Sequence, residues 1–337
     1  MSVSIRSSLG TGIRRVLGTP RLVLLAWIVN ISLGLLVALP MFAILDSYIG
    51  GTFYEETLMQ RMDDNWMRTF KEDHPGNPIV GMFDYSMMGA STFLSHLDGV
   101  LGGGVVTPVA GVLYDVLFRW TIPVSSVSVL MMLALVGVVV NALLGAGFIA
   151  TYRGNYPPTI GEFLTSGAPY FGPFLRLAGV VFLLQAIIVY PLIGGISSWI
   201  ASATQNEASE MVPFVYYMIR NAFAFLALFL VSLAGDYARV RVVLEQRSNA
   251  VGSFFEGLRF VLSNLRVTSG VGLFVVVSSL LAMFAYGILE YLLPKDTGGL
   301  ILVLFILHQG YIIVRQGLRA LAYASEVDVF QSSGIRS

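Results

Sequence analysis

Long uninterrupted apolar runs dominate this chain, in place of the alternation expected of half-buried elements. Six of them, at 22–45, 124–151, 176–196, 212–234, 271–293 and 299–321, are long enough to cross a hydrocarbon core. Such a crossing, about 30 Å, takes roughly 20 residues at the helical rise. A shorter stretch at 104–118 carries Pro108 and Asp115 and reads as an interfacial or re-entrant helix rather than a span. The first two spans are separated by a large acidic segment, 46–123. Within it, residues 54–70 place Met59, Met62, Trp66 and Phe70 at helical spacing with charges between them. That pattern predicts an amphipathic helix lying on the membrane, on the bundle or on a partner. The expected fold is an all-α polytopic membrane bundle, one membrane domain over 1–337 with six transmembrane helices, interfacial helices and one large extracytoplasmic loop.

Composition agrees with that pattern. Of 337 residues, 56% are hydrophobic and 12% charged, against about 25% charged in a soluble domain. Most of the surface is therefore expected to face lipid. The distribution of cations orients the bundle. Arg6, Arg14, Arg15 and Arg21 precede the first run, and Arg239, Arg241, Arg247, Arg259 and Arg266 fill the connection between the fourth and fifth. Arg315, Arg319 and Arg336 close the sixth, whereas the two short connections on the other side share only Lys295. By the positive-inside rule both termini are cytoplasmic, and the first run acts as an uncleaved signal anchor. The localisation this implies is a bacterial cytoplasmic (inner) membrane, with the lipid bilayer as partner and no nucleic acid.

A unit recurs three times. An amphipathic stretch, a breaker and a transmembrane hairpin begin at Ser8, at Thr159 and at Val251. Aligning Pro20, Pro173 and Asn264 as the breakers superposes Gly161 on Gly252 and Phe163 on Phe254. In its third unit, through AGDYARVRVVLEQR at 234–247 and GSFFEGLRFVLSN at 252–264, the chain resembles uncharacterised bacterial six-helix membrane proteins. Some of these are similar to the membrane region of glycerophosphoryl diester phosphodiesterases. The resemblance implies a fold type. No phosphodiesterase domain is present in this sequence, so it implies no such activity.

Polar side chains at membrane depth are either functional or interhelical glue. Helix 1 carries Ala26, Asn30, Gly34 and Ala38 at four-residue spacing, and helix 2 carries Gly137, Asn141 and Gly145. Asn30, Asn141 and Gln185 fall at similar depth and predict a buried amide layer joining helices 1 to 3. Pro191 predicts a kink in helix 3. Arg220 and Glu290 are expected to pair across helices 4 and 5. In helix 6, His308, Tyr311, Arg315 and Arg319 share one face, with Gln309 beside them. The candidate intramembrane polar residues are thus Asn30, Asn141, Gln185, Arg220, Glu290, His308, Gln309 and Arg315.

Catalytic constellations are missing from the sequence. With no cysteine, thiolate metal sites, iron–sulfur clusters and cysteine nucleophiles are excluded. There is no HExxH, GxSxG or Walker sequence, and the GGG at 102–104 reads as a hinge. The carboxylates of Asp115 and Asp236 fall at opposite membrane faces and cannot share a proton as a protease dyad does. No cofactor, metal or catalytic residue is expected. The function expected is a non-enzymatic scaffold or accessory subunit, with a protein partner docking at the extracytoplasmic loop. The alternative is a transporter for a small molecule or lipid, built on helices 3 to 6.

Overall fold

The computed structural model describes residues 4–50, 64–75, 77, 80, 126–154, 158–207, 209–293 and 298–333. Every regular element among them is helical. In chain order these are α1 (Ile5–Leu17), α2 (Pro20–Ile49), α3 (Asp64–Asp73), α4 (Ser126–Arg153), α5 (Ile160–Gly167), α6 (Phe171–Ile187), α7 (Gly194–Ala203), α8 (Met211–Leu244), α9 (Ala250–Ser263), α10 (Leu265–Leu292) and α11 (Gly298–Ser333). Among the described residues, five helical segments are long and apolar enough to cross a membrane: Pro20–Ile49, Leu135–Arg153, Ile160–Ala203, Met211–Leu244 and Leu265–Leu292. They coincide with the first five apolar runs. The stretch 104–118, the GGG, His96, Met59 and Met62 lie outside the described residues.

The threefold unit takes a cyclic form. Each short helix (α1, α5, α9) is followed by a first long helix (α2, α6–α7, α10) and a second (α4, α8, α11). The three second helices touch one another and form the centre. The first helices lie outside, α2 against α4 and α11, α6 against α4 and α8, α10 against α8 and α11. Each short helix docks on the second helix of the preceding unit: α5 on α4, α9 on α8, and α1 on α11, which closes the ring.

Capping and glycine placement explain the docking. Each short helix starts from a polar N-cap that satisfies an otherwise orphan backbone N–H. Ser4 Oγ accepts from the Ser7 N–H at 3.1 Å, and Asn249 Oδ1 accepts from the Gly252 N–H at 3.1 Å. Thr159 forms a capping box, its hydroxyl accepting from the Glu162 N–H while the Glu162 carboxylate accepts from the Thr159 N–H at 2.7 Å. Eight residues after each cap stands a buried glycine: Gly12, Gly167, Gly257. A Cβ at Gly167 would lie 2.6 Å from Gly147 N, and one at Gly257 would lie 2.7 Å from Ala234 O and 2.9 Å from Ala238 N. One at Gly12 would collide with Ser325 Oγ and come within 2.9 Å of Leu321 Cδ1. Four residues before the glycine stand Ser8, Phe163 and Ser253, all buried on the same face. Phe163 lies fully buried on Gly147, where its ring would come 2.7 Å from an added Cβ. Burying a ring of that size contributes about 1.5–3 kcal/mol.

The caps also correct the register of the repeat. Pro20, Pro173 and Asn264 stand sixteen, fourteen and fifteen residues past their caps, whereas the glycine never shifts. Phe163 therefore matches Ser253, not Phe254. Close helix approach fixes the glycine, while the breaker only ends a turn and tolerates two residues of slack.

At Pro191 the chain does not break. Ile188–Ile193 becomes π-helical and α7 continues the rod. The wider turn accommodates the missing N–H, as π-bulges do. Near the opposite end, α3 packs on α2. Phe70 is fully buried against Tyr48 (ring centroids 5.0 Å apart) and stacked on Trp66 (5.2 Å). The described part of the expected 54–70 helix is thus seated on its own bundle.

Candidate functional site

Where the three second helices meet, at the end that carries α1, α5 and α9, a polar cluster interrupts the apolar core. Alanines let the helices come close there: Ala142 and Ala146 of α4, Ala234 and Ala238 of α8, and Ala320 and Ala324 of α11 are all buried. Between them, α4 supplies Asn141, α8 supplies Asp236, Tyr237 and Arg239, and α11 supplies Arg319, Tyr323 and Glu326. Arg319 Nη1 donates to Asn141 Oδ1 at 2.7 Å, and Arg319 Nε donates to the Tyr323 hydroxyl at 3.3 Å. Gly145 makes room for that phenol, since a Cβ there would lie 3.1 Å from the Tyr323 oxygen. Arg239 forms an ion pair with Asp236 one helical turn away. Arg319 also lies in the field of Asp236, and Glu326 and Tyr323 lie in the field of Arg239. Phe148 walls the cluster, its ring centroid 6.3 Å from that of Tyr323.

Glu326 stands five residues past the end of the apolar run 299–321. It is 3% exposed, and its Oε2 has no hydrogen-bond partner among the described residues; neither does the buried Tyr237 hydroxyl. Burial first, and the neighbouring Asp236 carboxylate second, push the Glu326 carboxyl well above the usual range, with Arg239 opposing. The sequence pattern gave no hint of this group, because a lone glutamate beyond an apolar run looks like a solvated one.

A second network ties α8 to α9. Arg241 Nε meets Glu245 at 2.9 Å and Glu256 at 3.1 Å, while Arg247 meets Glu245 at 3.0 Å and Glu256 at 3.1 Å. These residues, with Gly257 and the Asp236–Arg239 pair, lie within 234–247 and 252–264. Across the next joint, Arg153 Nη1 of α4 donates to the Val243 carbonyl of α8 at 3.1 Å.

The residues singled out from the sequence divide. Asn141, Gln185 and Gln309 bond between helices, but not with one another as an amide layer. Asn141 takes Arg319, Gln185 Nε2 donates to Ser232 Oγ at 3.2 Å, and Gln309 Oε1 accepts from Trp27 Nε1 at 3.1 Å. Asn30 is exposed, and open space surrounds Gly34 and Gly137. The small-residue seams close only at Ala26 and Gly145, because the helices diverge beyond the docking end. The expected Arg220–Glu290 pair is likewise replaced. Arg220 donates to Ser197 Oγ at 2.6 Å and Asn221 Oδ1 at 2.7 Å and stacks over Tyr217 at 4.8 Å. Glu290 instead lies in the electrostatic field of Tyr286 and His308. The α11 face splits. His308 and Tyr311 lie against Tyr286 of α10 (5.3 and 5.2 Å between centroids), whereas Arg319 turns to α4. Arg315 and Tyr311 line a cavity of about 60 Å³ with Ser279 and Met283 of α10. Among the described residues no cluster of three or more His, Asp or Glu side chains could hold a metal ion.

Comparison with protein families, with curated proteins and with solved structures finds no match to this chain. What the helices define is a class: an all-helical, multi-pass membrane protein with at least five helices able to span.

Proposed function

We propose that the protein is a non-enzymatic scaffold or accessory subunit of a membrane complex. The observation that carries this reading is how its membrane-depth polar groups are used: Asn141, Gln185, Arg220 and Gln309 bond to neighbouring helices. Groups spent in this way hold helices together. The proposal includes a topology of six spans, with 299–321 as the sixth, both termini cytoplasmic, residence in the inner membrane of a bacterium, and the fold type of the phosphodiesterase-associated membrane region. Reporter tags at residues 5 and 335 should both report the cytoplasm; opposite compartments would remove the even number of crossings. Purification of the full chain in mild detergent should bring down a stoichiometric partner. A protein that purifies alone, and in liposomes moves a solute or lipid down its gradient, would overturn the scaffold reading.

One observation favours the rival, a transporter. Asn141 is exposed although it bonds the half-buried Arg319 at membrane depth, so a polar side chain faces outward at the edge of the cluster. The cavity at Arg315, however, is about 60 Å³, against about 300–1,000 Å³ for pockets that enclose small ligands.

A further inference from the structure

We propose that Glu326 is a proton-binding site, carrying its proton at neutral pH, and that its protonation secures the α1–α8–α11 joint that closes the ring. The argument rests on placement. The carboxyl is 3% exposed, and Oε2 has no hydrogen-bond partner among the described residues. No arginine, lysine or histidine among the described residues lies within ion-pairing distance of it. An ionised carboxylate in such a site bears a desolvation cost of several kcal/mol with no direct cation to offset it, and in practice such a group neutralises instead.

Its surroundings hold one nearby carboxylate and one cation already engaged. From α8, Asp236 presents like charge, Arg239 is committed to Asp236, and Tyr237 offers only a neutral phenol. On α11 itself, the Arg319 guanidinium is turned to Asn141 and Tyr323. Helix α1 carries arginines but no acid, and Arg15 reaches a backbone carbonyl, that of Ala324, at 3.5 Å. On α9, Glu256 is held by Arg241 and Arg247, while Arg259 forms no ion pair among the described residues. On α4, Arg153 is spent on the Val243 carbonyl. The step is a plain acid–base equilibrium: one O–H bond forms on Glu326, and the proton comes from and returns to water.

The position makes this proton consequential. Ser325, the next residue, is the seat for Gly12 of α1. Ionising Glu326 sets a second carboxylate beside Asp236 inside the joint. The sign follows by linkage. A carboxyl raised in the folded state contributes stability that is full below its unfolded value and is lost as pH rises through its folded value.

Infrared difference spectra of the full chain in nanodiscs, taken across a pH titration, test the site. At neutral pH the wild type should show a protonated-carboxyl C=O band that is lost in Glu326→Gln and kept in Glu256→Gln. The wild-type melting midpoint should fall as pH rises from neutral to alkaline, and that fall should flatten in Glu326→Gln. A wild type without a protonated-carboxyl band, or a band that survives in Glu326→Gln, overturns the proposal. Loss of the band in Asp236→Asn but not in Glu326→Gln does so too. Should Glu326→Gln fail to fold, the Asp236→Asn spectrum decides: the band should persist there, and its loss overturns the proposal.

Discussion

The two ends of this bundle are built from the same residue types and packed by different rules. At the docking end, Gly12, Gly147, Gly167, Gly235 and Gly257 each have a neighbour where a Cβ would stand, and Tyr152, Phe163, Phe174 and Tyr237 are enclosed. Toward the far end, Gly34, Gly137, Gly194, Gly195 and Gly287 have open space within 4 Å. There Leu36, Phe42, Met211, Leu281 and Tyr291 turn outward. A glycine in an apolar helix therefore carries no fixed meaning. It marks close contact where a short helix crosses a long one, as at Gly147 and Gly257, or where two long helices meet, as at Gly235 against Val181. The bundle is held at one end by crossing helices and polar locks, and its far end presents apolar side chains suited to lipid.

The sharpest way to break this contrast is one substitution made at both ends. Gly167→Ala and Gly257→Ala put a Cβ 2.6–2.7 Å from backbone atoms that cannot swing aside. Each should cost more than about 2 kcal/mol, within the range of overpacking, seen as a large drop in melting midpoint in detergent or loss of folded protein. Gly12→Ala meets a hydroxyl and a leucine methyl, both movable, and should cost less, about 1 kcal/mol. If all three melt like the wild type, the short helices are not seated as described, and the cyclic order of the units goes with them.

Sequence pattern revealed the elements well and their pairings poorly. Apolar run length located the first five spans, since crossing a bilayer leaves that mark on every such helix. The boundaries ran short where a helix continues into water: α8 extends to Leu244, ten residues past the apolar run, and α11 reaches Ser333. The unit repeat was visible, yet its register was off by one or two residues because the breakers drew the alignment. For the polar residues, depth along a helix could be estimated, but azimuth could not. Asn30 and Asn141 share a depth and face different surroundings. Arg220 and Glu290 were matched by charge alone, and a serine, an amide and two tyrosines proved nearer. Asp236 and Arg239 follow the fourth apolar run and Glu326 follows the sixth, stretches that look solvent-facing in one dimension and become the centre once α1 and α9 fold over them.

The polar locks test the contrast at intermediate strength. Hydrogen bonds between membrane helices average about 0.6 kcal/mol with a maximum near 1.7 kcal/mol in double-mutant cycles. The Asn141–Arg319 bond involves a charged donor at 2.7 Å and belongs at the upper end. A cycle with Asn141→Leu and Arg319→Met should return a coupling of about 1–1.7 kcal/mol. Trp27→Phe with Gln309→Leu should return about 0.5 kcal/mol. Zero coupling for Asn141 and Arg319 would mean that α4 and α11 are held by packing alone.

The smallest effect is expected at the far end, where its sign should reverse. Gly34→Ala, Gly137→Ala and Gly287→Ala add a methyl into open space and remove the conformational freedom that makes glycine a poor helix former. Alanine is better by about 1 kcal/mol in an aqueous helix interior, and an apolar methyl facing lipid adds no penalty. Each variant should melt at or slightly above the wild-type temperature, and a triple variant should sum the gains because the sites lie on separate helices with no shared neighbour. A clear loss at any one of the three would show that this glycine meets a surface in the folded membrane-embedded protein. The far end would then have to close on something, and the open arrangement of α2, α4 and α10 would be the part of the comparison to discard.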